Sequence, residues 1–380
     1  MANKEQSPKV TLVGHPFNPI GTGRALRISL AACRRVGIDV AVRDVWKFQV
    51  PEPDQVKSIL PFMTDDYSAI NIFHLNGNEI EPALERLGPL PPGHNIVIPF
   101  WELPRYPDEW ANQLEKFDEV WASSKFIQAS VGNAVDRPVL YMPLATEVEF
   151  NSFLSRRYFR IPEDHYAFLL FFDCRSYMMR KNPQAVVECF RRLLQARPWV
   201  RTCLVIKLHG AEAAPAEVLD FLDSLKEMRE RIVLLDKTLP EAEVHNLIRC
   251  SDAFVSLHRS EGYGLGLAEA MYLGLPVIGT GWSGNMDFMT PDNSFAINCD
   301  LVPVPANAYP HWEDQQWAEP DLDEATEKMI KLVDNPAMGR ALGVLGGRTI
   351  RTSFSFRSSG LRYAARLAEI AGQATIAEPA

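Results

Sequence analysis

A chain of 380 residues is longer than one ordinary hydrophobic core and suits two α/β domains. Apolar residues make up 47% and charged residues 23%, the balance of a soluble globular protein. The 39 basic against 48 acidic residues give a net charge of −9, which excludes a nucleic-acid backbone as main partner and leaves room for a local phosphate-binding patch. Cys33, Cys174, Cys189, Cys203, Cys250 and Cys299 are scattered, with no C-x-x-C pair, so buried, reduced thiols are expected. The opening MANKEQSPKV has no apolar core of signal-peptide length, and no 18-residue uncharged apolar run occurs, so a cytoplasmic location is expected.

In chain order, Val10 to Val13 predicts a strand ending at Gly14. A Pro- and Gly-rich loop, HPFNPIGTG, follows. Arg24 to Val36 sets Leu26, Ile28, Leu30, Ala31 and Cys33 among arginines and predicts a helix stopped by Gly37. Strand-like runs recur at DVAVRDV, AINIFHL, NIVIPF, DEVWASS and VLYMPL, separated by helical segments such as EIEPALERLG and PDEWANQLEKF. That alternation predicts a parallel sheet.

After Pro143 the polar and aromatic stretch ATEVEFNSFLSRRYFRIPEDH reads as an interdomain connection. YAFLLFFD then suits a strand buried on both faces, and Asn182-Pro183 reads as an N-cap with proline at the first helical position. TCLVIKL, RIVLLD, DAFVSL and PVIGT repeat the strand signature, with AEVLDFLDSLKEMRE, PEAEVHNLIRC and LAEAMYLG as crossover helices. The acidic stretch at 319–327 reads as a solvated face. Gly343 to Gly347 reads as a break before the amphipathic segment GLRYAARLAEIA. The expected architecture is α/β, two Rossmann-like doubly wound domains facing a cleft. Its parts are a first domain at 1–150, a linker at 151–165, a second domain at 166–350, and at 351–380 a C-terminal helix able to pack back on the first domain, with a frayed tail.

Ligands of doubly wound sheets sit beyond the carboxyl ends of the strands, so the loops there are the candidates. In SEGYGLGLAEAM, Glu261 and Glu269 are separated by seven residues, with Gly262, Gly264 and Gly266 between them. A glycine-rich turn opening a helix presents backbone N–H groups to a phosphate. One carboxylate before the helix and one inside it can address two parts of an elongated ligand. A plain βα turn, with Glu261 as a cap and Glu269 solvated, fits the same residues. In DCRSYMMRKNP, Arg175 and Lys181 fall beside a helix start, where two cations can clamp a diphosphate.

The run EGYGLGLAEAMYLGLPVIGT closely resembles the Glu-x7-Glu signature of glycosyltransferase family 4, whose members have the two-domain GT-B fold. The resemblance is specific over about 166–290 and architectural before that, and it implies that 1–150 is the acceptor domain and 166–350 the nucleotide-sugar donor domain. It implies a retaining transfer of sugar from a nucleotide-diphosphate donor, with Glu261 on the transferred sugar and Glu269 on the nucleotide ribose. It also implies an Arg and, six residues on, a Lys at the diphosphate, which fall on Arg175 and Lys181. Cys174 and Asn182 stand where the family commonly has glycine, so Lys181 carries over more firmly than Arg175. Gly262, Tyr263, Gly264, Leu265, His258 and Trp282 are expected to line the donor pocket. An acceptor in polysaccharide or lipid-linked glycan assembly is implied by association, with room for peripheral contact at the inner face of a membrane.

Family members bring a glycine-rich N-terminal loop to the donor diphosphate and acceptor, which points to Gly21 and Gly23 followed by Arg24; a purely structural turn fits equally well. The family's usual donor-sugar histidine has no counterpart between His94 and His165, leaving Trp101 or Glu102 as substitutes, or a buried Trp with a capping Glu. His74 is a further candidate, although a lone histidine there is more often structural. No D-x-D pattern lies in a suitable loop, Asp65 and Asp66 being adjacent in the other half. No metal or other cofactor is therefore expected, and family members are thought to react on one face with the departing phosphate taking the acceptor proton. Two alternatives remain: an epimerase or hydrolase of the same fold, and a catalytically silent nucleotide-binding subunit.

Overall fold

The computed structural model describes residues 9–18, 21–47 and 57–377. Pro19 and Ile20 of the N-terminal loop, and the last three residues of the expected tail, lie outside them. The chain divides into two units, Met1–Thr146 with Thr352–Ala380, and Glu147–Arg351.

In the first unit the strands are β1 (Val10–Gly14), β2 (Val40–Asp44), β3 (Ile70–Phe73), β4 (His94–Val97), β5 (Glu119–Ala122) and β6 (Val139–Tyr141), interleaved with α1 (Gly21–Arg35), α2 (Gly77–Leu87), α3 (Asp108–Leu114) and α4 (Lys125–Gly132). They form one parallel sheet in the order β2-β1-β3-β4-β5-β6. Every residue of β1, β3 and β5 is buried, the polar Thr11 and Asn71 and the charged Glu119 included. Helix α2 begins in a capping box, in which Asn76 and Glu79 satisfy each other's exposed backbone donors.

One expectation is corrected here. Gly21 to Gly23 is the first turn of α1 and not a glycine-rich turn ahead of it. Gly23 is a packing requirement, because a Cβ would lie 2.4 Å from the Asn18 carbonyl oxygen and 2.5 Å from that of His15.

The second unit holds β7 (Tyr166–Asp173), α5 (Met178–Lys181), α6 (Pro183–Ala196), β8 (Thr202–His209), α7 (Pro215–Ser224), β9 (Ile232–Asp236), α8 (Glu241–Arg249), β10 (Ala253–Ser256), α9 (Leu265–Tyr272), β11 (Val277–Thr280) and β12 (Phe295–Ile297). Their parallel order is β12-β11-β10-β7-β8-β9. Val186, Val187, Phe190 and Leu193 form the buried stripe of α6 and join Phe168, Leu170 and Ile206 of the sheet in one core. An antiparallel hairpin, β13 (Cys299–Pro303) with β14 (Gln316–Pro320), precedes α10 (Leu322–Asp334). The segment 151–165, expected as a linker, packs with this unit: Leu154 N–H donates to Asn246 and Arg156 pairs with Asp252 at 2.6 Å.

Four further differences have local causes. AEVLDFLDSLKEMRE is not one helix; α7 ends at Ser224 and a 3-10 run follows, bent at Met228. Asn182 precedes α6 as expected but does not cap it, since its backbone is left-handed (φ 51°) and its amide donates instead to the Leu257 carbonyl at 3.0 Å. The acidic stretch is engaged rather than merely solvated, because Glu319 pairs with Arg259 and Asp321 caps α10. Gly343 to Gly347 lies inside α11 (Pro336–Ser353), where a Cβ on Gly343 would come 2.0 Å from the Gly274 carbonyl oxygen. Small residues there let the helix lie directly on the turn after α9.

The last helix, α12 (Phe356–Ala377), belongs to the first unit. Tyr363 hydroxyl meets Ser29 of α1 at 3.3 Å, and Arg366 pairs at 2.6 Å with Glu119 of β5, a carboxylate only 1% exposed. All six cysteines are unbonded, five of them buried and Cys299 half-buried. Among the described residues no helix is long and apolar enough to cross a membrane.

Candidate active site

Strand β7 lies between β10 and β8, so the chain leaves its two sides in opposite directions and a crevice opens at the carboxyl ends of β7 and β10. Two loops emerge there: residues 174–182 after β7 and residues 257–264 after β10. Strands far apart in sequence are adjacent in the sheet, which brings the predicted cation loop onto the predicted carboxylate loop.

The loops are joined by buried polar contacts. Arg259 N–H donates to the Arg180 carbonyl at 2.7 Å, and the Arg180 guanidinium donates to the Ser260 carbonyl at 2.7 Å. Lys181 Nζ donates to Glu261 Oε1 at 2.5 Å, and Arg180 Nη1 lies 3.5 Å from Glu261 Oε2. Burial pushes the Glu261 carboxyl up, but the charges of Lys181, Arg180 and His258 outweigh it and bring it down to about 2. Glu261 is ionised at neutral pH and accepts hydrogen bonds without donating a proton. His258 is fully buried, and its imidazole is held down to about 4, chiefly by burial, with Glu261 opposing that effect. It is neutral at pH 7.

After Glu261 the chain passes through Gly262 and Tyr263, both buried, to Gly264, whose left-handed backbone (φ 91°) starts α9 with no side-chain cap. Leu265 is the first residue of that helix. The turn is braced from the loop after β11: Ser283 Oγ accepts from Glu261 N–H at 2.9 Å, and Gly284 N–H donates to the Glu261 carbonyl at 2.9 Å. A Cβ on Gly284 would lie 2.0 Å from the Gly262 carbonyl oxygen. Trp282, in the same loop, is half-buried. Glu269 sits one turn inside α9, only 2% exposed, with Oε1 3.2 Å from His245 Nε2. The two carboxylates of the motif therefore differ in setting, one beside cations and one beside an imidazole of α8.

Arg175 is not paired with Lys181. Its guanidinium binds Glu212 at 2.7 Å on the outer side of the loop, against Gly210. The cation beside Glu261 that sequence reasoning passed over is Arg180; its signal was adjacency to Lys181 in MMRKNP.

The first-unit candidates follow the adjacent strands β1, β3 and β4. Gly21 is exposed and Arg24 half-buried on the first turn of α1. His74 is fully buried, 2.9 Å from Ser29 Oγ, and burial lowers its imidazole to about 3, so it links β3 to α1 as a neutral structural group. Trp101 is 2% exposed, donates to the Arg105 carbonyl at 2.8 Å and meets Trp110 edge-on, while Glu102 beside it is half-buried. The burial of Trp101 is the part of the structural alternative that is seen. Among the described residues no group of three or more His, Cys, Asp or Glu is arranged to hold a metal.

Residues 168–304 match the family model described as glycosyl transferases group 1, a stretch holding both loops. A trehalose synthase of Pyrococcus horikoshii is 24% identical over 183 residues, which is 47% of this chain and 38% of that protein. Among solved structures, Anabaena HepE in complex with UDP and glucose superposes with a TM-score of 0.71 at 11% identity, over 95% of this chain and 100% of the other. Sucrose-phosphate synthase of Thermosynechococcus elongatus does so with a TM-score of 0.70 at 13% identity, over 96% and 100%. The fold is the α/β architecture of these GT-B neighbours, and residues 168–304 are similar to group 1 glycosyl transferases.

Proposed function

We propose that the second unit binds a nucleoside-diphosphate sugar at residues 174–182 and 257–264 and transfers the sugar to an acceptor hydroxyl with retention of configuration. The observation that carries this reading is the ion pair of Lys181 with Glu261, backed by Arg180, at the switch point of the sheet. That HepE was solved with UDP and with UDP-glucose supports a UDP-sugar as donor.

In this reading the acceptor oxygen bonds to the anomeric carbon as the bond from that carbon to the diphosphate oxygen breaks. The acceptor proton passes to the departing phosphate. Negative charge grows on the diphosphate, and Lys181, moving off Glu261, meets it together with the backbone N–H groups that open α9; Arg175 is an outlying second cation. Glu261, ionised throughout, holds sugar hydroxyls as an acceptor. Glu269, held by His245, takes the ribose hydroxyls. Cations and amides do the work of a metal, so turnover is expected to survive EDTA. The acceptor belongs to polysaccharide or lipid-linked glycan synthesis, reached from the cytoplasmic side of a membrane.

A thermal-shift screen of UDP-, GDP- and ADP-sugars tests the reading, because a ligand that binds only the native state raises the melting temperature. One nucleotide class should do so in the presence of EDTA, and Lys181→Met should reduce that shift. No shift from any donor would overturn the assignment.

A further inference from the structure

The aromatic loop of the β13–β14 hairpin takes no part in the site described so far. With Tyr177 it borders an open groove of about 400 Å³ lined also by Asn307, Tyr309, His311, Trp312 and Glu313. Tyr177 is 43% exposed and meets the Tyr309 ring edge-on at 4.8 Å. Trp312 is half-buried and Glu313 exposed.

The groove is fastened to the candidate active site. Arg259 pairs through two nitrogens with Glu319 of β14, at 2.8 and 3.1 Å, and donates to the Met179 carbonyl at 2.6 Å, so the hairpin is tied to the loop after β7. The Arg180 guanidinium lies 5.6 Å from the Tyr309 ring centre and 3.5 Å from Glu261 Oε2. One buried side chain thus touches both the groove wall and the proposed sugar-binding carboxylate.

We propose that this groove is a second-unit subsite for the acceptor and that its occupant is a neutral oligosaccharide. Aromatic rings pack against the apolar faces of sugar rings, while Asn307, His311 and Glu313 supply donors and acceptors for hydroxyls at the rim. A carboxylate in the lining, with Asp314 next in the chain, opposes a diphosphate or an acidic glycan. The inference rests on the glycosyl-transfer reading of Lys181 and Glu261 for the word acceptor; carbohydrate binding in the groove does not.

The test uses the full chain on an array of neutral and acidic oligosaccharides, with UDP titrated calorimetrically on the same preparations. The wild type should retain neutral oligosaccharides in preference to acidic ones. Trp312→Ala and Trp312→Leu should each weaken that retention by about tenfold, the scale of an aromatic anchor, with UDP affinity and circular dichroism unchanged. No glycan retention, a preference for acidic glycans, or retention indifferent to both variants would overturn the proposal. Weakened UDP binding in folded variants would also overturn it, because the groove would then be a nucleotide site. Wild-type glycan retention without UDP binding would uphold the groove and sink the donor assignment, so the two failures are distinguishable.

Discussion

Lys181 Nζ rests 2.5 Å from Glu261 Oε1 across eighty residues of sequence. The adjacency of β7 and β10 makes this contact, since each residue lies in the loop leaving one of those strands. The pair is a cation held in place by the carboxylate it must leave to meet a diphosphate. Replacing Lys181 should therefore change ligand handling more than folding, because Arg180 remains beside Glu261 and only 4% of its side chain is exposed.

The two glutamates of the motif should separate kinetically. Glu261→Ala is expected to lower kcat with little change in nucleoside-diphosphate affinity, whereas Glu269→Ala should weaken that affinity, since sugar and ribose contacts differ in what they do at the transition state. Calorimetric titration with UDP alongside steady-state kinetics measures both. Equal affinity losses would refute the division of roles.

Acid should remove part of the stability held by Glu261. Its carboxyl is lowered from 4.5 to about 2 on folding, so its contribution is complete above the unfolded value and is lost as pH falls through that window. Glu261→Gln lacks this contribution at every pH. The difference in urea midpoint between wild type and Glu261→Gln should shrink as pH falls from 4.5 toward 2. A constant difference would mean that the pair does not hold the carboxylate ionised.

Gly284→Ala should damage the site without touching a charge. Its methyl would press on the Gly262 carbonyl, displacing the turn that carries Glu261. Overpacking of this kind costs about 1–3 kcal/mol, and here the loop that gives way is the proposed donor loop. A lower kcat with a modest loss in melting temperature is expected; full activity would show that the turn tolerates displacement.

Much of this was legible in the sequence. The six strands of the first unit and five of the second's six parallel strands read correctly because they are rich in Val, Ile, Leu and Phe; most are buried on both faces, while β6 is half-buried throughout and β9 is partly exposed. The Glu261–Glu269 spacing also placed one carboxylate before α9 and one within it. Glycines misled in both units. Gly21, Gly23, Gly343 and Gly347 read as punctuation, yet they sit in helices, and the close backbone contacts that exclude a side chain at Gly23 and Gly343 are not visible in a linear pattern. Strand β12 was missed because three residues give no period, and the hairpin because Pro, Trp and acidic residues mask its alternation. Arg175 was preferred to Arg180 because family spacing, and not burial, guided the choice.

In the first unit, Arg366→Met should destabilise strongly. It leaves Glu119 charged and 1% exposed, with its guanidinium partner gone; losing one partner of a buried pair costs about 3 kcal/mol or more. Adding Glu119→Gln should restore a large part of that loss. Denaturant unfolding of the two variants measures it, and unchanged stability in Arg366→Met would mean that α12 is held by its apolar contacts alone.

The central claim is that Lys181 meets the diphosphate, and titration with UDP in EDTA, comparing wild type with Lys181→Met, tests it most directly. Because charge is greatest on the released diphosphate, the variant should lose about tenfold or more in UDP affinity, and kcat should fall by about 10²- to 10³-fold, as when one preorganised electrostatic group is removed. Circular dichroism should be unchanged, since 20% of the Lys181 side chain is exposed and Arg180 still faces Glu261. Equal UDP affinity and near-normal kcat in a folded Lys181→Met protein would contradict the account.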